Sequence, residues 1–477
     1  MGRTTGAGAV SPAVRFEISR AEGSLQLDPV LSEALCQAHD ARLKGVHCAF
    51  RAERAAGEGE LRARNRWWTQ AHTLSDGYQP VVCLADSIRR RADAVVLIGI
   101  GGSDLAARVI TDLLNDPQHN ARHVAGVPPP QLHFAGNTFD PRRLASLMDW
   151  LDSAGLLPRT VLVVVSKSGT TLETNVALRC LAARLGAGWR EQCVVVTGPG
   201  GSGASSALGG LGGLLGELPL QPGVGGRFSG HTEPGLLPAL VTAPGDADAV
   251  QARLDAALAG IREADRRFLL EPPDPDNTAF ALASWLHLTE VYGNRSTLVF
   301  YNFLDSEPLG AWFLQLFSES LQEDGRGLDV IPAVGPTSNH SLANGIVRGP
   351  RNKAVLFLRW LDLDTELQVP DVPGLERTGP SLAVREMTRI HDACYHATAE
   401  DFAANGVPNL TLEIGRRDTA HVFGLLRVLM DSVAVVGKLQ NLDRAQDGSI
   451  DPAKDRTYLQ DGVEGYKRRM LAMVATG

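Results

Sequence analysis

The sequence predicts an α/β protein built on parallel sheets and divided into two halves. Three observations carry that expectation. Short β-branched apolar runs alternate with helical stretches from Ala94 to Thr197 and again after Ser296, the pattern of parallel βαβ units. Two of the runs open directly into turns rich in glycine and hydroxyl groups, Gly99–Ser103 and Ser166–Thr171. A glycine-rich connection over 198–226 interrupts the alternation and separates the two series.

The elements follow in order. Residues 28–75 are rich in Ala, Leu, Arg and Glu with apolar positions at helical spacing, so helices are expected there. Ala94–Ile98 reads as a buried strand, with a turn at Gly99–Asp104 and a helix running through Leu114. Gln131–Ala135 is a strand, Pro141–Trp150 a helix, Thr160–Val165 the third strand, Thr171–Leu185 a helix and Cys193–Thr197 the fourth strand. Beyond the connection come strands at Ser296–Tyr301, Leu328–Ala333 and Ala354–Leu361. Helices are expected at Ala311–Leu321, Ala383–Asn405, Thr419–Leu439 and Gly462–Val474. The organisation implied is an N-terminal helical segment over 1–75, a first α/β domain over 76–245, and a second over 246–477 with a helical tail.

With 477 residues the chain can bury substantial cores. A net charge of −8 argues against a general nucleic-acid binder, whose affinity rests on clustered Lys and Arg. No apolar run is long enough to span a bilayer, so no membrane partner is expected. Met1–Thr5 lacks the apolar core of a secretory signal, and Gly2 lacks the spacing for myristoylation. Cysteines at 36, 48, 83, 180, 193 and 394 are too sparse for a disulfide scaffold. These points lead to the expectation of a reduced, cytoplasmic, acidic enzyme.

Chemistry concentrates in the loops. Ser166, Lys167, Ser168, Gly169, Thr170 and Thr171 follow a strand and precede a helix. Backbone N–H groups at a helix start carry partial positive charge, and hydroxyls with an ammonium beside them make a cradle for a phosphate dianion. Walker spacing is absent. In the Gly99–Ser103 turn, Asp104 stands where a dinucleotide fingerprint needs its third glycine, so Gly102 and Ser103 are read as a second face of the same phosphate site. Arg227 sits among small neighbours, Gly225, Gly226 and Ser229, where its fixed charge could stabilise an oxyanion. Gln315 and Glu319 lie four apart on a helix and share a face, with Leu314, Leu316 and Phe317 around them, and Glu319 suits a general base.

His340, in the turn-rich loop Gly335–Ser341, suits a proton shuttle, and Lys467 lies in Gln460–Lys467. His391, Cys394 and His396 do not converge on one helical face and are read as non-ligands. Lys438 reads as a helix-end lysine.

Taken together, Gly99–Ser103, Ser166–Thr174, Gly225–Ser229, Gln315–Ser320, Gly335–Ser341 and Gln460–Lys467 resemble the phosphoglucose isomerase family over most of the chain. The first two pieces occur across sugar-isomerase (SIS) domains, whereas six in the family's order, ending in Gln-x-Gly-Val-Glu-x-x-Lys, are highly specific. The resemblance implies two SIS-type αβα sandwich domains, a homodimer, no metal or organic cofactor, and reversible conversion of glucose 6-phosphate to fructose 6-phosphate. It also implies roles. Gly102, Ser103 and Ser166–Thr171 would bind phosphate, and Glu319 would move a proton between C2 and C1 through a cis-enediol. Arg227 would stabilise the enediolate, and Gln315 and Gln460 would line the pocket. His340, reaching in from the partner subunit, and Lys467 would assist ring opening. This chain departs from the family at Leu321–Glu323, His231–Glu233 and Ser338-Asn339. A non-catalytic SIS regulator would need the phosphate loops but not Arg227, Glu319, His340 and Lys467 together. An isomerase of a related sugar phosphate is the other alternative.

Overall fold

A computed structural model describes residues 16–19, 29–55, 77–198, 207–220, 224–375, 382–445, 455–458 and 461–476. Its ten strands are β1 (Phe16–Ser19), β2 (Ala94–Ile98), β3 (Gln131–Ala135), β4 (Thr160–Ser166), β5 (Cys193–Thr197), β6 (Gly216–Pro219), β7 (Thr297–Asn302), β8 (Asp329–Val334), β9 (Lys353–Trp360) and β10 (Asn409–Ile414). They form two five-stranded sheets, ordered β3-β2-β4-β5-β6 and β1-β10-β9-β7-β8. The first is wholly parallel. In the second, β1 runs antiparallel to β10 at the edge, and the remaining pairs are parallel.

Both sheets are covered on two faces, which explains why their central strands read as continuous apolar runs. Along β4, Val161, Val163 and Val165 face a large central core, while Leu162 and Val164 face an outer one shared with Leu178 and Leu181. Along β9 the same alternation sends Leu356 and Leu358 to the central core and Val355 and Phe357 to an outer cluster with Tyr395 and Phe402. The central core is therefore common to both sheets. Helices Ala247–Phe268, Thr278–Val291 and Thr419–Arg444 run through it, the last buried continuously from His421 to Gln440. The expected boundary at 245–246 falls in the short turn between helices Glu233–Val241 and Ala247–Phe268.

Several elements differ from the sequence reading. Strand β6 forms within 198–226, which the sequence reads as a loop, and β1 within the segment expected to be helical. β10 and the helices over 233–291 carry no clear pattern, and the helix expected from Ala383 starts at Met387. The second sheet is mixed rather than parallel, because β1 joins its edge from far upstream.

One polar cluster fastens the N-terminal helix Pro29–Ala55 to the core. His39 Nε2 shares a hydrogen bond with Ser284 Oγ at 3.0 Å, and its ring stacks on His287 with centroids 5.5 Å apart. His287 Nε2 lies 3.0 Å from Asp443 Oδ2, which also accepts from Arg326 at 2.9 Å. Burial, with His287 and Arg42 adding to it, pushes the His39 imidazole down to about 4. The folded state thus favours neutral His39. Its contribution is full above the unfolded value near 6.5 and is lost as pH falls from there towards 4. Between pH 7 and pH 5 the urea midpoint should drop by the equivalent of about 2 kcal/mol from this group. His39→Asn should flatten that slope, and an unchanged slope would remove His39 as its source.

Candidate active site

The loop after β4 is closed by its own side chains. Gly169 takes φ +70°, a left-handed turn that glycine adopts without a Cβ penalty. Ser166 Oγ accepts the Gly169 N–H at 3.1 Å and lies 3.3 Å from Thr171 Oγ1. Ser168 Oγ accepts from Thr170 N–H at 3.2 Å and from Thr170 Oγ1 at 2.9 Å. Asn175 Nδ2 donates to the Gly169 and Thr171 carbonyls, each at 2.9 Å. Helix Leu172–Leu185 starts immediately behind, so its positive end faces the hydroxyls. Lys167 Nζ donates to the Val224 carbonyl at 3.3 Å, which ties this loop to the chain entering Arg227.

The Gly101–Ser103 turn leaves β2, the neighbour of β4, so the two loops share one sheet edge. A Cβ on Gly102 would lie 2.1 Å from the Gly226 carbonyl carbon and 2.4 Å from Arg227 N. Only glycine permits that backbone contact, and it seats the Gly226–Phe228 turn against the first loop. Ser229 Oγ secures the junction by donating to the Gly102 carbonyl at 3.2 Å or the Gly226 carbonyl at 2.7 Å. A Cβ on Gly101 would stand 2.8 Å from Gln315 Nε2, so the second half also reaches this point.

Arg227 is the hub, only 2% exposed. Nε donates to Ser320 Oγ at 2.8 Å, Nη1 to Glu319 Oε2 at 3.3 Å and Nη2 to the Thr457 carbonyl at 2.7 Å. Burial lowers its pKa from the usual arginine value, and the Glu319 carboxylate opposes that shift. Gln315 Nε2 donates to Glu319 Oε1 at 3.0 Å, so Glu319 has one oxygen on the amide and the other on the guanidinium. Helix Glu307–Leu321 buries Trp312, Phe313, Leu316 and Phe317, while Gln315 and Glu319 stay half-buried. The Glu319 side chain keeps 26% exposure, enough to meet a ligand.

The structure thus brings Gly102, Arg227, Gln315 and Glu319 together and sets Ser166–Thr171 on the adjoining strand end. It joins neither His340 nor Lys467 to them by a hydrogen bond or ion pair among the described residues. His340 closes the exposed turn Thr337–His340, and no hydrogen bond or ion pair joins it to Glu319 or Arg227 among the described residues. The Asn339 departure has a structural use: it accepts from Tyr301 OH and donates to Thr398 Oγ1 at 2.8 Å, fixing the turn that presents His340. Lys467 lies on helix Glu464–Thr476 and donates to Glu464 Oε1 at 3.2 Å. Gln460 lies outside the described residues.

Sequence reasoning missed Ser320 and Thr457, the acceptors that fix Arg227; the only available signal was that a buried guanidinium must find acceptors somewhere. It also misplaced Lys438, which is fully buried within Thr419–Arg444 rather than at a helix end. His391 Nε2 pairs with the Phe303 carbonyl at 2.8 Å, and His396 lies 3.6 Å from Asp392.

Two sheets sharing one central core, with hydroxyl-rich turns at the strand ends and a carboxylate beside a buried arginine, define a two-sheet α/β protein with a candidate acid–base site. No family model matches the chain. It is 31% identical over 379 residues to the glucose-6-phosphate isomerase of Rubrobacter xylanophilus, covering 78% of this chain and 83% of that protein. It is also 31% identical over 397 residues to the glucose-6-phosphate isomerase of Symbiobacterium thermophilum, covering 82% of each. The chain belongs to the glucose-6-phosphate isomerase family. Its fold matches the crystal structure of a glucose-6-phosphate isomerase from Chlamydia trachomatis with a TM-score of 0.74 at 18% identity, covering 97% of this chain and 88% of that one.

Proposed function

We propose that this chain interconverts glucose 6-phosphate and fructose 6-phosphate, with Glu319 as the base that carries the proton. The observation that carries the assignment of Glu319 is its geometry: a part-exposed carboxylate held by Gln315 on one oxygen and Arg227 on the other. The loops Ser166–Thr171 and Gly102-Ser103 hold the phosphate away from the reacting carbons and so orient the opened sugar. Glu319 takes the proton from C2, and the electrons of the C2–H bond form the C1–C2 double bond as the C1 carbonyl oxygen takes up a proton. The resulting cis-enediol gives up its O2 proton while the same carboxyl returns its proton to C1. Electrons and atoms balance within the substrate.

The enediol oxygen gains negative charge during this transfer. Arg227, withdrawn from water and held by Ser320, Glu319 and the Thr457 carbonyl, supplies a preorganised positive charge there. His340 and Lys467 assist ring opening and closure. In this reading, His340 is presented outward so that it enters the crevice of a second copy in a homodimer. Lys467 reaches the substrate from the C-terminal helix, and Gln460 lines the pocket. The cytoplasm is the compartment in which this reaction fits a chain with a net charge of −8 and six cysteines.

The test is a coupled assay of fructose 6-phosphate conversion to glucose 6-phosphate, run beside mannose 6-phosphate. Turnover with fructose 6-phosphate is expected. Binding of the sugar phosphate without turnover would overturn the enzyme reading in favour of a sensor.

A further inference from the structure

A buried ammonium in the middle of a long helix needs an explanation. Lys438 is 0% exposed, and its Nζ lies 2.5 Å from Glu53 Oε1, 3.5 Å from Asp455 Oδ2 and 4.8 Å from the Phe50 ring centroid. Removing two opposite charges from water costs about as much as their attraction returns, so a buried pair of this kind is poor evidence of a stabilising device. Its use is directional.

Asp455 is the next link, and it is itself buried. Its Oδ1 accepts from Asn441 Nδ2 at 2.8 Å and from the Thr457 N–H at 3.0 Å. Those bonds hold the short turn Arg456–Tyr458 against the helix. The approach is tight: a Cβ on Gly437, the residue before Lys438, would lie 2.0 Å from Thr457 Oγ1. From this turn the Thr457 carbonyl accepts from Arg227 Nη2 at 2.7 Å.

We propose that Lys438 and Asp455 are positioning residues for Arg227. They act by locking the Thr457 carbonyl as the third anchor of the guanidinium. The proposal rests on the reading of Arg227 as the group that stabilises the enediolate. Ser320 and Glu319 hold the Nε and Nη1 sides, so losing the Thr457 anchor removes the bond that fixes Nη2. The ground-state sugar phosphate, gripped mainly at its phosphate, would be affected little; the charged enediolate would be affected most.

Asp455→Ala tests this in wild-type and Arg227→Ala backgrounds. In the wild-type background kcat should fall about tenfold or more, with KM changed by less than about twofold. Affinity for a hydroxamate sugar phosphate, which mimics the enediolate charge, should fall in step with kcat. An uncharged open-chain polyol phosphate should bind as before. In the Arg227→Ala background, Asp455→Ala should cost less than about twofold more, because the residue it positions is gone.

An Asp455→Ala enzyme with wild-type kcat, or an equal loss in both backgrounds, would overturn the proposal. If Arg227→Ala itself leaves kcat intact, the Arg227 reading fails, and that result is seen separately from any effect at Asp455. Should Asp455→Ala fold poorly, the triple variant Glu53→Gln, Lys438→Met and Asp455→Leu removes all three charges of the cluster and nearly keeps the volume. It should fold and still show the kcat loss, and wild-type activity in it would overturn the positioning role.

Discussion

Replacing Glu319 by Gln should lower kcat by a factor on the order of 10^3 while substrate affinity changes little. The side chain keeps its length, and its amide oxygen can still accept from Arg227 or Gln315, which occupy the two carboxylate oxygens now at 3.3 and 3.0 Å. What is lost is the capacity to take a proton from carbon. Isotope exchange gives the cleanest reading, since the wild type should wash solvent deuterium into the sugar at C2 and C1 and Glu319→Gln should not. Retained exchange in that variant would remove Glu319 as the base. The same variant tests the proposal that His340 enters the site of a second copy. Refolded together with an inactive His340→Ala chain, it should regain activity, because one site of each mixed dimer then holds both native groups. No regain would confine His340 to its own subunit's chemistry or to none.

Replacing Arg227 by Lys should cost about 10^2 to 10^3 in kcat, a loss comparable to removing one oxyanion-hole donor. Charge is preserved in that variant, so geometry decides the result. The guanidinium spans Ser320 Oγ, Glu319 Oε2 and the Thr457 carbonyl from three nitrogens. A lysine offers one point charge on a flexible stem and cannot span those three acceptors. At 2% exposure, water cannot replace the missing donors. A fall in kcat with KM nearly constant marks an interaction made in the transition state; a rise in KM alone would make Arg227 a ground-state binding group.

The legible parts of this molecule were those set by neighbours in the chain. β2, β4 and β5 could be read because a strand buried on both faces is apolar at every position, as Val161–Val165 is. The Ser166–Thr171 turn could be read because its bonds, from Ser166 to Gly169 and from Ser168 to Thr170, close within a few residues. Gln315 and Glu319 were placed on one face by helical spacing alone, and their 3.0 Å hydrogen bond is the result.

The illegible parts depended on distance in sequence. Helix Thr278–Val291 buries residues on nearly every face, including Phe280, Trp285 and His287, so it carries no amphipathic period to read. β1 is four residues long and owes its existence to β10, almost the whole chain away. Lys438 reads as a helix-end lysine because lysine is rarely buried in a helix interior; Glu53 and Asp455, which let it be buried, lie in other segments.

By itself, then, the sequence determined the fold class, the two turns at the strand ends and the side chains available for chemistry, since these follow from local backbone preference and periodicity. Tertiary structure alone decided which acceptors surround Arg227, where Lys438 finds its counter-charges, and that His340 faces outward. A buried charge takes its meaning from the partners that replace water around it, and those partners converge only when the central core assembles.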